Sequence, residues 1–302
     1  MSRVAVLIGL IAVGQLITPS FLSLANIHVI LLAVAAIGIM AYGMTLVVIT
    51  GEIDLSIAGI AILSCVAGGL LIPTGSSTLI IGVTLLTGLA VGLVNGILVA
   101  ALGIPSLIVT LGMLGISRAI ANIASGGQAL YPESIGAYIW LGRGAISGVP
   151  VPVILLSVLG IAAIVLTRST TFGRALYATG GNIKAASLSG IHVVRVRTVV
   201  FMISGICAAL AGMLQSARLS YINPAAFEGM ELSVLAVTVL GGAALAGGSG
   251  SIGGTLVAAL IIGIVNNLLN QLGVSLYLQQ VVTAAVILAV VLPGLRHRGI
   301  AK

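Results

Sequence analysis

Apolar residues in this chain run in long unbroken blocks rather than alternating with polar ones. Cutting at polar and Gly/Pro interruptions leaves ten blocks: 4–18, 27–49, 56–72, 79–102, 106–124, 151–167, 198–217, 232–247, 252–272 and 276–292. A helix needs about 20 mostly apolar residues to cross the hydrocarbon of a bilayer. The blocks are too long, and too uniform, to be the alternating strands of a membrane barrel. The pattern predicts an all-α polytopic membrane protein with about ten transmembrane helices, forming a single membrane domain over 1–302. The first block is short and follows Arg3, as the apolar part of a signal peptide would. However, Ile17-Thr18-Pro19-Ser20 offers no small-x-small cleavage site, so the block is read as an uncleaved helix.

Composition narrows the class further. Soluble chains carry about 25% charged residues; here the figure is 6%, with 60% hydrophobic residues among the 302. Twelve Lys+Arg and five Asp+Glu cannot cover a water-soluble surface of this size. The 41 glycines suit helices that approach one another closely in a membrane. A net charge of +7 is not a nucleic-acid patch: Lys184 and Lys302 are the only lysines, and no basic run is interleaved with aromatics. Cations instead report orientation, being enriched in cytoplasmic segments. With the N-terminus inside, cytoplasmic segments take Arg3, Arg168, Arg174, Lys184, Arg195, Arg197, Arg296, Arg298 and Lys302, nine of the twelve. Arg143 and Arg218 fall outside, and Arg118 falls within a block. An even number of spans then places both termini in the cytoplasm. Cys65 and Cys207 lie in apolar runs without metal-ligand or disulfide spacing and read as small packing residues.

Two breaks in the apolar pattern stand out. The outer loop 125–150 carries Tyr131, Tyr138 and the single Trp140, either as an aromatic anchor at the headgroups or as a docking surface. The cytoplasmic loop 168–197 contains Asn182–Ser189 between Gly181 and Gly190. That stretch suits about two helical turns with Asn182 as N-cap. There is also a candidate internal repeat. Gly92-Leu-Val-Asn95 recurs as Gly263-Ile-Val-Asn266, each followed by a Gly-Ile/Val and Ser-Leu pair. Matching the fourth block to the ninth gives two five-helix units, 1–150 and 151–302, the second inverted as in many transporters.

The blocks hold few ionisable groups, and proton- or ion-coupled carriers usually have them there. Asp54, in Thr50-Gly51-Glu52-Ile53-Asp54-Leu55-Ser56, reads as a cap for a helix beginning at Leu55. His28, His192 and His297 are not spaced as ligands or as a relay. What the blocks do hold is neutral amides: Asn95, Asn122, Gln215, Asn266, Asn267, Asn270, Gln271, Gln279 and Gln280. Amides bond a polyhydroxylated solute without requiring a counter-ion, and equally serve as interhelical ties. Asn95, Asn122, Gln215, Asn266, Asn267 and Asn270 are the candidate pathway residues. No P-loop is present: GGSGSIGG at 247–254 lacks the lysine that holds phosphate, so an energy source must lie on another chain.

Three stretches carry a resemblance: GMTLVVITG at 43–51 with Ile53-Asp54-Leu55-Ser56; Phe172-Gly173-Arg174, Tyr177-Ala178-Thr179-Gly180-Gly181-Asn182, Ala185-Ala186 and Leu188-Ser189-Gly190-Ile191; and Glu231-Leu232, Val239-Leu240-Gly241-Gly242 and Gly247-Gly248-Ser249-Gly250-Ser251 with Gly254-Thr255. In this order, over nearly the whole chain, they resemble the membrane-spanning permease subunits of ribose-type carbohydrate ABC importers. The chain departs from that pattern at Ile183, Ser187, Ser233 and Glu52. Members usually have proline, arginine, an acidic residue, and an uncharged or small residue there.

The resemblance implies a set of partners: a second permease subunit, a cytoplasmic ATP-binding subunit that holds ATP and magnesium, and an extracytoplasmic sugar-binding protein, all in or at an inner-membrane bilayer. This chain would bind no cofactor or metal and catalyse no reaction. Gly173, Arg174, Gly180, Gly181, Asn182, Ala185, Ala186, Gly190 and Ile191 would couple it to the ATPase. Arg143 and Arg218 are candidates for docking the binding protein, and Glu52, Asp54, Glu231, Gly241 and Gly242 are structural positions of the motifs. The expected function is import of a neutral polar solute, a monosaccharide or related sugar, by alternating access. Alternatives are a permease for a furanosyl signalling compound, nucleoside or vitamin, a secondary carrier, or a channel.

Overall fold

The computed structural model describes residues 3–133 and 135–275, together with 278, 279, 281 and 285. Twelve α-helices follow in order: α1 Arg3–Ile17, α2 Leu24–Ile49, α3 Ile57–Gly69, α4 Ser77–Gly96, α5 Ser106–Ser125, α6 Gly136–Arg143, α7 Val151–Ser169, α8 Thr171–Gly181, α9 Ile183–Leu188, α10 Val193–Leu219, α11 Met230–Leu240 and α12 Ile252–Gln271. A π-helical turn, Ile97–Ala101, extends α4. A two-stranded hairpin, β1 Ala145–Ile146 and β2 Val149–Pro150, sits between α6 and α7.

Seven helices are long and apolar enough to cross a membrane: α2, α3 with a short 3-10 extension to Thr74, α4 with its π turn, α5, α7, α10 and α12. α1 and α11 are shorter apolar helices. Side-chain caps fix several starts. Ser23 accepts from Asn26 N before α2, Ser76 from Leu79 N before α4, and Ser251 from Gly254 N before α12. Each satisfies one of the orphaned amides of a first helical turn. Pro105 and Pro150 stand just before α5 and α7, where a missing N–H costs nothing.

Helices stand at nine of the ten expected spans, seven of them long and apolar enough to cross a membrane; the tenth, 276–292, lies outside the described residues apart from the four positions named above. Some boundaries differ from expectation. The span drawn over 232–247 ends as α11 at Leu240, because Gly242, Gly247 and Gly248 adopt positive φ and turn the chain back. α10 starts at Val193, so Arg195 and Arg197 are on a helix rather than in a loop. The segment 168–197 is mostly helical. Thr170 caps α8 through Gly173 N, and Asn182 caps α9 through Ala185 N at 3.0 Å, as its position before Ile183 predicted.

The bundle is centred on α2, in which every residue from Val34 to Ile49 is buried. α4 and α10 make the most extensive helix pair. Gly88 and Gly92 on α4 face Gly205 and Phe201 on α10, so close that a Cβ on Gly88 would run into the Gly205 carbonyl. Small residues at four-residue spacing permit that approach. α4 packs on α10 as α12 packs on α2; α3 packs on α4 and α10 as α11 packs on α12 and α2. α1 and α7 stand outside this exchange, since α1 lies on α12 and α7 on α2.

The bundle has two distinct ends. At one, the end of α2, α8, α9, the start of α10 and the loop after α11 meet, with Gly248 N donating to Ile49 O at 2.9 Å. Arg3 reaches that end, its guanidinium lying beside Gly242 and Gly254. At the other end, α6 packs against α10: Tyr138 is fully buried and its hydroxyl shares a 2.6 Å hydrogen bond with Ser216. Tyr131 and Trp140 are exposed there, Tyr131 resting against Tyr221 at 5.5 Å between ring centroids. Burial of Tyr138 makes it part of the α6–α10 packing, whereas Tyr131 and Trp140 remain on the surface.

Candidate functional site: an amide-lined cavity and a helical module at the opposite end

A cavity of about 580 Å³ lies toward the α6 end, between α2, α3, α10, α11 and α12. Its polar lining includes Gln215, Ser216, Asn223, Glu228, Ser233 and Asn266, and its apolar lining includes Ile37, Ile62, Phe227 and Met230. The segment between α10 and α11 contributes Leu219, Tyr221 and Ile222 as a wall. Gln215 and Asn266 also border a second, smaller space with Arg218.

The six candidate pathway amides separate by their hydrogen bonds. Asn95 is fully buried and donates to Ser56 Oγ at 2.8 Å. Asn267 and Asn26 bond each other reciprocally at 2.8 and 3.1 Å, and Gln271 donates to Asn267 Oδ1 at 3.0 Å. Asn270 accepts from Gln279 at 2.8 Å. Asn122 is exposed and bonds its own helix at the Arg118 carbonyl. These four tie helices or cap backbone groups. Among the described residues Gln215 and Asn266 find no partner for their side-chain amides, and both face the cavity. A half-buried amide left unbonded gives up hydrogen bonds it would make in water, and these two can recover them from a solute.

Two ion pairs occur among the described residues. Arg118, on α5, meets Glu231 at 3.3 Å and Phe227 O at 3.4 Å, holding the N-terminus of α11 to α5. Glu52 meets Arg197 at 2.8 Å at the opposite end. Neither pairing was drawn from the sequence. The signal was available in the scarcity of acids, since a cation inside a span needs one of only five Asp+Glu. Asp54 is fully buried and accepts from Ser56 N at 3.1 Å, from Ser56 Oγ, and from Ser204 Oγ at 2.7 Å. The expected helix cap is not what it forms: α3 begins two residues later than expected, at Ile57, with Ser56 at its N-cap and no side-chain capping bond, and Asp54 instead closes the turn that precedes it. Burial pushes its carboxyl above the ordinary range, opposed by the bonds from Ser56 and Ser204.

The coupling candidates divide between interior and surface. Gly173 and Gly180 are packing positions. A Cβ on Gly173 would strike the Thr167 carbonyl, and one on Gly180 the Ile49 carbonyl. Ile191 packs partly against the core. Arg174, Gly181, Asn182, Ala185 and Gly190 are exposed. Ala186 is buried against this chain's own bundle, so it presents nothing to a partner. The exposed apolar side chains of this module are Leu188, 90% exposed at the end of α9 and not among the coupling candidates, and Ile183. Gly241 packs on Thr255, and Gly242, at φ +91°, turns the chain after α11.

Arg143 and Arg218 come together at the α6 end, Arg143 Nε donating to the Arg218 carbonyl at 2.7 Å. With His28 they border a depression of about 280 Å³. Among the described residues no three His, Cys, Asp or Glu converge as metal ligands.

Comparison with known proteins agrees with these features. Residues 26–291 match the family model described as branched-chain amino acid transport system / permease component. The ribose import permease protein RbsC of Escherichia coli (strain K12) is 39% identical over 295 residues, covering 96% of this chain and 92% of that protein. RbsC of Bacillus subtilis (strain 168) is 38% identical over 287 residues, covering 94% and 88%. The L-arabinose ABC transporter permease protein AraH of Azospirillum brasilense is 38% identical over 292 residues, covering 96% and 85%. A solved structure described as an inward-facing conformation of a metal-chelate type ABC transporter superposes with a TM-score of 0.55. It covers 96% of this chain and 97% of that one at 15% identity, a likeness of fold. With most of its length matched and this packing of apolar helices, the chain belongs to the branched-chain amino acid transport system / permease component family of membrane permeases.

Proposed function

We propose that this chain is the membrane-spanning subunit of an ATP-driven importer for a neutral sugar, a pentose or close relative. It would sit in a bacterial inner membrane with both termini in the cytoplasm. The observation that carries the reading is the convergence of two unpartnered neutral amides, Gln215 and Asn266, on one cavity of about 580 Å³. A pentose offers hydroxyls to those amides, to Ser233 and to the Glu228 carboxylate, and its C–H faces to Ile37, Ile62 and Met230. The relatives named for ribose and arabinose import support the same solute class.

The remaining parts follow from the two ends. Arg3, Arg168, Arg174, Lys184, Arg195 and Arg197 belong to the α8–α9 end, which supports placing it in the cytoplasm. There the exposed side chains of α9 would dock on an ATPase carrying ATP and magnesium. At the opposite face Arg143 and Arg218 would meet carboxylates of a binding protein, and a second permease subunit would complete the assembly. The exchange of α2, α3 and α4 with α10, α11 and α12 in the packing supports two related five-helix units, 1–150 and 151–302. The recurrent glycines agree, Gly92 facing α10 and Gly263 facing Val34 on α2.

The test is uptake into vesicles reconstituted with this chain, its ATPase and its binding protein. Ribose, arabinose and xylose should enter only with ATP and binding protein together. Uptake without ATP would refute the proposal in favour of a channel, and uptake driven by an ion gradient would refute it in favour of a secondary carrier.

A further inference from the structure

The turn 50–56 between α2 and α3 is bonded to α4, α5 and α10, and the residue at its entry is held from the α8 side. Ile49 O, at its entry, accepts from Gly248 N at 2.9 Å and lies directly against Gly180 at the end of α8. Ile53 N donates to Ser106 Oγ at 3.2 Å, and Ile53 O accepts from Thr110 Oγ1 at 3.3 Å, both on α5. Ser56 takes the bond from Asn95 on α4. α10 is gripped twice. Glu52 meets Arg197 at 2.8 Å, and Asp54 accepts from Ser204 at 2.7 Å. Arg197 and Ser204 are seven residues apart, which puts them on one face of the helix, about 10 Å apart along its axis.

One attachment fixes a point on a helix, and two fix its direction. We propose that the 50–56 turn is a two-point clamp on α10 that converts movement of the α8–α9 module into tilting of α10, with Glu52 and Arg197 as positioning residues for transport. This rests on the importer reading above and adds the route by which ATPase movement reaches the cavity. α9 runs into α10 after four residues, while the end of α8 bears on the entry to the turn, so displacement of the module loads both sides of the clamp. α10 then continues unbroken to Leu219, and Gln215 lies 18 residues beyond Arg197, about 27 Å along the axis. A tilt of about 5° about Arg197 would move Gln215 by about 2 Å, which separates a made hydrogen bond from a broken one. The Glu52–Arg197 pair is half-buried, and Arg197 also reaches Thr50 O at 3.5 Å, so its guanidinium stays within the turn.

The experiment uses the reconstituted complex with its loaded binding protein and compares the parent with E52R, R197E, the double swap E52R/R197E and the shape-preserving E52Q. The measurements are recovery of the assembled complex, basal ATPase without binding protein, and ATP hydrolysed per sugar imported, using ribose, arabinose and xylose. E52R and R197E are expected to assemble and keep basal ATPase while ATP used per sugar rises at least about fivefold, the low end of ordinary inter-site coupling. The double swap should return that ratio to within about twofold of the parent. Should E52R fail to assemble, E52Q carries the test, with the same direction expected. The parent's ratio in E52R and E52Q, or a double swap as uncoupled as the singles, would overturn the clamp. A parent complex that imports none of the three sugars would instead refute the importer reading itself.

Discussion

Leu188 and Ala186 sit two residues apart on α9 and should behave oppositely. Leu188 is 90% exposed, whereas Ala186 is buried in this chain's own core. Replacing Leu188 by Ala removes three carbons that touch almost nothing in the isolated protein. At about 0.8 kcal/mol per buried carbon, full coverage by an ATPase makes them worth about 2.4 kcal/mol to docking. That corresponds to a loss of affinity of ~60-fold, and half coverage to ~8-fold. The assay is the Kd of the ATPase subunit for the permease in nanodiscs, with thermal denaturation of the permease alone as control. Leu188→Ala should weaken binding about 8- to 60-fold and leave the thermal midpoint unchanged. Ala186→Trp should do the reverse in kind, since overpacking a filled core costs about 1–3 kcal/mol and lowers the midpoint before any partner is added. Parental affinity in Leu188→Ala would show that α9 is not the docking element, and the coupling assignment would lose its structural support.

Leucine at Gln215 or Asn266 should abolish or strongly impair sugar uptake with little change in thermal stability. Asn95→Ala should destabilise by about 1–3 kcal/mol, because Ser56 loses a buried partner. Uptake rate and thermal midpoint, measured on the same preparations, separate the two outcomes. Ser189→Cys should be labelled by an impermeant thiol reagent only from the cytoplasmic side, and Ser147→Cys, in the exposed hairpin beyond α6, only from outside. The reverse pattern would invert the orientation. Arg143→Glu should raise the apparent KM for loaded binding protein, more so at low salt, as rim charges act mainly on encounter. A salt-independent KM equal to the parent's would remove Arg143 from the docking face.

Local chemistry accounts for what the sequence made legible. Uniform apolar blocks and the cap residue Asn182 are short-range signals, so the helices at nine of the expected blocks and the start of α9 follow from reading along the chain. Two kinds of information were not local. Which amides are ties and which are free depends on cross-helix partners. Asn266 and Asn267 are adjacent and chemically identical, yet one faces a cavity and the other bonds Asn26 on a helix 241 residues away. Likewise Ala185 and Ala186 look interchangeable in sequence, and only the rotation of α9 against the bundle turns one outward. The early start of α10 was hidden because Arg195 and Arg197 read as loop charges, whereas one of them is neutralised by Glu52 across the turn.

The central position of α2 bears on how the protein is made. Of the seven long spans described it is the first to leave the ribosome, yet its finished environment is supplied by α7, α10, α11 and α12, all synthesised later. About 220 residues separate Ile49 from the end of α12, which at ordinary synthesis rates of about 5–20 residues per second is a wait of about 10–45 s. During that interval lipid must stand in for protein on every side of α2. The stretch Val34–Ile49 has no charge, and Tyr42 and Thr45 are its only polar-tipped side chains, so it tolerates hydrocarbon all round as well as it later tolerates the core. A single charge introduced on any face of α2 would therefore be met first as a failure of membrane insertion, before there is a bundle in which it could be buried or paired.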